Sequence, residues 1–143
     1  MSRADRPRRP PTQARIREGQ ALLELALVLP FLLFLTFAVV GAGRVVQARQ
    51  GVSAVAREAA RAGTAGLSPA AGRGRGEEVA RGYGLTNGSL EVRVDGGRFA
   101  PGGRVVAYAA YEVRFDDLPL PGWARLRVRG EAWEAIDLYR SVK

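Results

Sequence analysis

The stretch Leu25-Ala-Leu-Val-Leu-Pro30-Phe-Leu-Leu-Phe-Leu-Thr36-Phe-Ala-Val-Val-Gly-Ala-Gly43 decides the architecture: it is 19 consecutive residues without a charge. As a helix rising about 1.5 Å per residue it spans roughly 28 Å, close to the ~30 Å hydrocarbon core of a bilayer. A core helix of a small soluble domain is apolar along one stripe, whereas this run is apolar on every face. Pro30 removes one backbone hydrogen bond and is the expected kink, a break that membrane helices accommodate when neighbours compensate. Thr36 can return its hydroxyl to the carbonyl of Leu32 and so costs little in lipid. A cleaved secretory signal has a shorter apolar region, about 7–15 residues, closed by a small-x-small site. Here Arg44-Val-Val-Gln-Ala-Arg49 follows and continues as helix. The run reads as a retained anchor, with residues 20–43 as the transmembrane helix.

The charge distribution agrees with an anchor. The chain has 143 residues and a formal charge of +8, and 21 of its 22 basic residues are Arg. Residues 1–19 carry +4, residues 20–43 carry −1, residues 44–62 carry +3 and the remaining residues +2. The excess flanks the apolar run, which is a membrane pattern more than a nucleic-acid pattern. Six Arg before the run and a smaller excess after it favour a cytoplasmic N-terminus and an extracytoplasmic C-terminal domain in the cytoplasmic (inner) membrane. Residues 1–19, with three Pro and no apolar periodicity, read as a basic disordered leader. The chain has no His and no Cys. That excludes thiolate and imidazole metal sites, Cys or His nucleophile pairs and disulfides. An enzyme is not expected, and neither are a cofactor, a metal, a nucleic-acid partner or a small-molecule substrate.

The junction between leader and run reads Arg17-Glu-Gly19-Gln20-Ala-Leu-Leu-Glu24-Leu25. A lone carboxylate at the mouth of a membrane helix is costly unless it stays near the head groups or finds a cation. At head-group level Glu24 would stabilise the positive end of the helix dipole. The second reading follows from spacing: a cut after Gly19 would make Gln20 the first residue and Glu24 the fifth. The basic leader, Gly19, Glu24 and the apolar helix resemble the class III signal of type IV pilin-like proteins. More closely, Glu18-Gly-Gln-Ala-Leu-Leu-Glu24-Leu-Ala-Leu-Val-Leu-Pro30 resembles the N-terminal motif of the TadE-like family, pilin-like accessory proteins of tight-adherence (Flp-type) pilus systems. Gly43-Arg44 and the Ala/Arg-rich helix ending Arg57-Glu-Ala-Ala-Arg61-Ala-Gly63 are similar to that family too, so the resemblance covers about residues 17–63. It implies a membrane peptidase (a prepilin peptidase) cutting after Gly19 and Glu24 pairing with the new N-terminal ammonium of a neighbouring subunit. Leu25 and Gln20 stand where pilin subunits of this branch tend to have an aromatic residue or Met, which argues against a major polymerising subunit.

Beyond the run, Val45, Val52, Val55, Ala56, Ala59 and Ala62 recur at helical spacing, so residues 44–62 extend the helix outside the membrane. Residues 63–76 hold five Gly and one Pro and read as a Gly-rich linker. Glu77–Arg81 can form a short helix closed by Gly82. The period then changes to two. Leu90, Val92 and Val94 share a face, as do Val105, Ala107, Ala109, Tyr111, Val113 and Phe115, and then Leu126, Val128 and Ala132. The strand at 104–115 is apolar on both faces at first, which makes it the central one. Asp116 and Asp117 read as a solvated turn, and Trp123 and Trp133 as core or interface residues. Residues 134–143 are consistent with more strand or a helical turn.

The expected fold is α+β: a long N-terminal transmembrane helix packed on a small antiparallel three-stranded β-meander, pilin-like, with residues 77–143 forming the extracytoplasmic sheet domain. The expected function is a non-enzymatic, single-pass pseudopilin-like component of a Flp/Tad-type pilus or related secretion apparatus, working by helix–helix assembly with other pilin-like proteins in the lipid bilayer. The alternative is a bitopic envelope protein with a small partner-binding ectodomain, uncleaved and unrelated to pili.

Overall fold

Helix formers rich in Ala, Leu and Arg occupy the chain from Thr12 onward, and the computed structural model places them in one helix, α1 (Thr12–Gly66). The structure describes residues 12–86, 89–97, 99–119 and 124–137. Trp123 and the tail after Asp137 lie outside the described residues. Two compact units divide the chain between Val39 and Val40.

In the first unit the described residues form the N-terminal part of α1. The helix begins at Thr12, so the end of the segment expected as a disordered leader is helical from there. No proline interrupts Thr12-Gln-Ala-Arg-Ile-Arg-Glu18, and its residues are mostly good helix formers, whereas Pro10 and Pro11 immediately precede it. Pro30 lies inside the helix, which continues through it. The proline ring leaves the Ala26 carbonyl without its usual amide donor. Thr36 Oγ1 donates to the Leu32 carbonyl at 2.9 Å, as the sequence led us to expect. The large apolar side chains from Leu22 to Leu35 and Val39 are exposed, with Phe37 half-buried, and the most apolar 18-residue window, of mean hydropathy 2.6, buries none of its residues.

The second unit has a core. On its part of α1, Ala48, Val52, Val55, Ala56, Ala59 and Ala60 are buried, a stripe of spacing three and four. The strands β1 (Glu91–Asp95), β2 (Arg104–Arg114) and β3 (Arg125–Ala135) form an antiparallel sheet in the order β1-β2-β3. The expected meander with a central second strand is what forms. Register places Val92 opposite Ala109, Val94 opposite Ala107, Ala107 opposite Ala132 and Tyr111 opposite Val128, so one face of the sheet is continuous and apolar. That face meets α1. At Gly130 the approach is so close that a Cβ would stand 3.0 Å from the Val52 carbonyl oxygen. Beyond β3, Ile136 is buried and exchanges backbone hydrogen bonds with Gly102 and Gly103 across the other end of β2. Trp133 is not in the core: it is 62% exposed on the open face, where the Arg104 guanidinium sits 4.8 Å from its ring centre.

The segment 63–76, expected as a flexible linker, is instead the end of α1, a two-residue break and the first half of a second helix, α2 (Pro69–Gly82). Leu67 takes the left-handed conformation (φ 46°), and the Ser68 amide donates back to the Gly63 carbonyl at 3.2 Å, which closes α1. Ser68 then caps α2 through its side chain, accepting from the Ala70 amide at 3.2 Å, with Pro69 at the first helical position. Gly72 and Gly76, one turn apart, are buried in α2. A Cβ on Gly72 would lie 2.6 Å from the Ala59 carbonyl oxygen, and one on Gly76 3.1 Å from Val92. These glycines therefore permit close packing against α1 and β1; they do not break the chain. α2 ends as the sequence led us to expect, near Gly82. Gly84, at φ +71°, and the Leu85 amide bonded to Ala80 at 2.9 Å complete the stop.

Candidate functional site

The residues singled out at the helix entrance all fall on α1. Gly19, Gln20 and Glu24 are exposed. The space where a Gly19 side chain would stand is empty to 4 Å among the described residues. Gln20 and Glu24 are four residues apart and so lie on one helix face, about one turn from each other. Among the residues whose side chains are described, Glu24 has no hydrogen bond or ion pair. Pro30 follows within two turns on the same exposed apolar helix.

The other end of the apolar run carries an arrangement that reading by spacing missed. Arg44, the first charge after the run, reaches across 73 positions of sequence and binds Asp117 through both guanidinium nitrogens, each 2.5 Å from a carboxylate oxygen. Asp116 pairs in turn with Arg114. The Asp116-Asp117 turn is thus neutralised by two cations, where the sequence reading had it only solvated. The hydrogen bond from Arg44 lowers the pKa of Asp117 below its ordinary value. Desolvation opposes this, while a backbone hydrogen bond and the Arg44 charge reinforce it. Arg44 is raised by the same hydrogen bond, again against desolvation. A fork-shaped guanidinium suits this two-point contact where a lysine would not. No local pattern signals a pair so distant in sequence; the one hint is that Arg44 ends the apolar run without delay.

Just before Arg44, Gly41 stands against the same β2–β3 loop. Carbon atoms of Phe115 and Leu118 lie 3.7 Å and 3.9 Å from where its Cβ would be. The loop is tightened by the Leu118 amide bonding to the Phe115 carbonyl at 3.0 Å. On the open face of the sheet a shallow concavity is lined by Arg93, Tyr108, Arg127 and Arg129. Its cations are partly satisfied within the sheet, with Arg127 2.6 Å and Arg93 3.1 Å from Glu91. Among the described residues no group of three metal-ligating side chains comes together.

No curated protein and no solved structure matches the chain. A family model does, and it covers less than a third of the chain, at the part that holds Gly19, Gln20, Glu24, Pro30 and Arg44. Residues 19–61 match the model of the TadE-like protein family, the family that the entrance motif resembles.

Proposed function

We propose that this chain is a single-pass membrane component of a Tad-type (Flp) pilus or related secretion apparatus, pseudopilin-like, acting by assembly and not by catalysis. The observation that carries the reading is the exposed apolar helix that begins with Gly19-Gln20 and Glu24 inside the family-matched segment. A helix so apolar and so little covered needs a non-aqueous partner along its length, and a bilayer or neighbouring pilin-like helices supply one. Small residues at Ala38, Ala42 and Gly43 allow such helices to approach closely. The Arg bias supports a cytoplasmic N-terminus in the inner membrane with the sheet unit outside.

In this reading a prepilin peptidase cuts between Gly19 and Gln20. Both residues are helical, so the enzyme must first unwind a turn. Glycine, which costs about 1 kcal/mol in a helix interior relative to alanine, is the residue at which that is easiest. The freed ammonium on Gln20 would give the Glu24 carboxylate of a neighbouring subunit the cation that a low-dielectric site demands.

The test is the intact mass of the protein purified from membranes of its host. The expected form begins at Gln20 and disappears when Gly19 is replaced by a bulky residue. A form that retains its first nineteen residues in both cases would remove the cleavage and pairing mechanism. It would leave a plain bitopic anchor with a small ectodomain.

A further inference from the structure

We infer that the β2–β3 loop at Phe115–Pro119 is a second membrane contact, resting on the phospholipid surface from which the apolar helix emerges. This rests on the membrane reading of that helix. The argument begins with depth. Gly41 lies two residues inside the end of the uncharged run, about 3 Å along the helix axis. Carbon atoms of Phe115 and Leu118 lie within 4 Å of where a Gly41 Cβ would stand, so their apolar atoms are at the level where the run is still apolar. Neither side chain is fully buried in the protein, and Pro119 beside them is exposed. Apolar atoms at that level meet the boundary between head groups and acyl chains, not bulk water.

Charge agrees with the same placement. A bilayer surface presents phosphates, and unpaired carboxylates would be repelled from it. Both carboxylates of the loop are paired, Asp117 with Arg44 and Asp116 with Arg114. The loop therefore meets the head groups without net negative charge, and both guanidinium groups keep exposed surface toward which phosphate oxygens can turn. Arg44 also has the reach to hold its charge at head-group level while its stem stays beside the apolar run. Loop and helix end make one continuous surface, apolar where Leu118 stands beside Gly41 and charge-balanced immediately beyond it.

The chain has no cysteine, so a single introduced one carries a fluorophore at one known place. The full chain is reconstituted in phosphatidylcholine–phosphatidylglycerol vesicles with lipids bearing a nitroxide quencher at the head group or in the acyl chain. Probes are placed by Pro119→Cys, by Leu118→Cys as a second loop position, by Phe34→Cys within the apolar run and by Ala100→Cys at the far end of β2. Circular dichroism confirms the fold of each variant. The expected result is that both loop probes lose most of their fluorescence to the head-group quencher, Phe34→Cys loses it to the acyl-chain quencher, and Ala100→Cys keeps it against both. Loop probes quenched no more than Ala100→Cys, while Phe34→Cys is quenched, overturn the loop contact and leave the anchor standing. Loop probes shielded from lipid quencher and aqueous iodide alike mean that protein covers the loop, such as a second copy, and also overturn it. Failure at Phe34→Cys would remove the membrane reading and the inference together.

Discussion

Arg44 and Asp117 hold the first turn of α1 beyond the apolar run to a loop 73 residues later in the chain, and they do so in solvent-exposed surroundings. An exposed ion pair is screened by salt and contributes modestly to stability, so its value lies more in fixing geometry than in energy. The sign of its pH dependence follows from the lowered pKa of Asp117. Its stabilisation is fully present above the ordinary carboxylate value of about 3.9 and is lost as pH falls through the depressed folded-state value. A carboxyl-carbon NMR titration should place the Asp117 midpoint below that of an ordinary aspartate. In Arg44→Gln it should rise toward the ordinary value, and an unchanged midpoint would remove the pair from the explanation. Reading by spacing found Arg44 only as a flanking charge, since neither helical nor strand periodicity links positions so far apart. Gly19, Gln20 and Glu24, by contrast, are singled out by local spacing, and the roles proposed for them rest on it.

At the scale of elements, alternation carried the sheet. Val105 to Val113 on β2 alternate inward, and strand order, register face and the central position of β2 follow from that period of two. The helical stripe from Val52 to Ala59 was equally plain, although Val45 and Ala62, read with it, are only half-buried, and Ala48 and Ala60 were missed. α2 was hidden because Gly72, Gly74 and Gly76 look like breakers when counted. The overlooked signal was Ser68-Pro69, a cap followed by a proline suited to the first turn. The three glycines make this testable, because they differ in what surrounds them. Gly74 has nothing within 4 Å, so Gly74→Ala should raise thermal stability, by about 0.5–1 kcal/mol, through reduced freedom of the unfolded chain. Gly72→Ala meets the Ala59 carbonyl at 2.6 Å and should destabilise by about 1–3 kcal/mol. Equal, near-zero shifts in the two unfolding midpoints would restore the linker reading. Gly84→Ala should cost about 1–2 kcal/mol although its surroundings are open, because its φ of +71° opposes any side chain.

For the molecule as a whole, the division at Val39–Val40 separates an exposed apolar helix from the unit that holds the core. The buried stripe of α1, both faces of contact with α2 and the whole sheet belong to residues 40–143. A fragment of those residues should be soluble without detergent and unfold cooperatively, with the circular dichroism of mixed helix and sheet. A gradual melt would mean that the first unit is needed to hold the core. The family match and the motif both lie at the N-terminal end, while the sheet was read from periodicity alone. That asymmetry is physical: spacing in the first part carries the proposed chemistry, whereas the alternation of the second specifies a scaffold.

Among the described residues one edge of β3 pairs with no other strand, which has a consequence for crowding. The strand pairs with β2 along its eleven residues, and β1 lies on the opposite side of β2. Such an edge invites the matching edge of another copy. Arg125, Arg127 and Arg129, exposed at every second position, set like charges against like where two β3 strands meet antiparallel in the register centred on Arg127. At low ionic strength that register is therefore disfavoured when copies crowd together. Added salt, by screening the arginines, removes the guard against fibrous association.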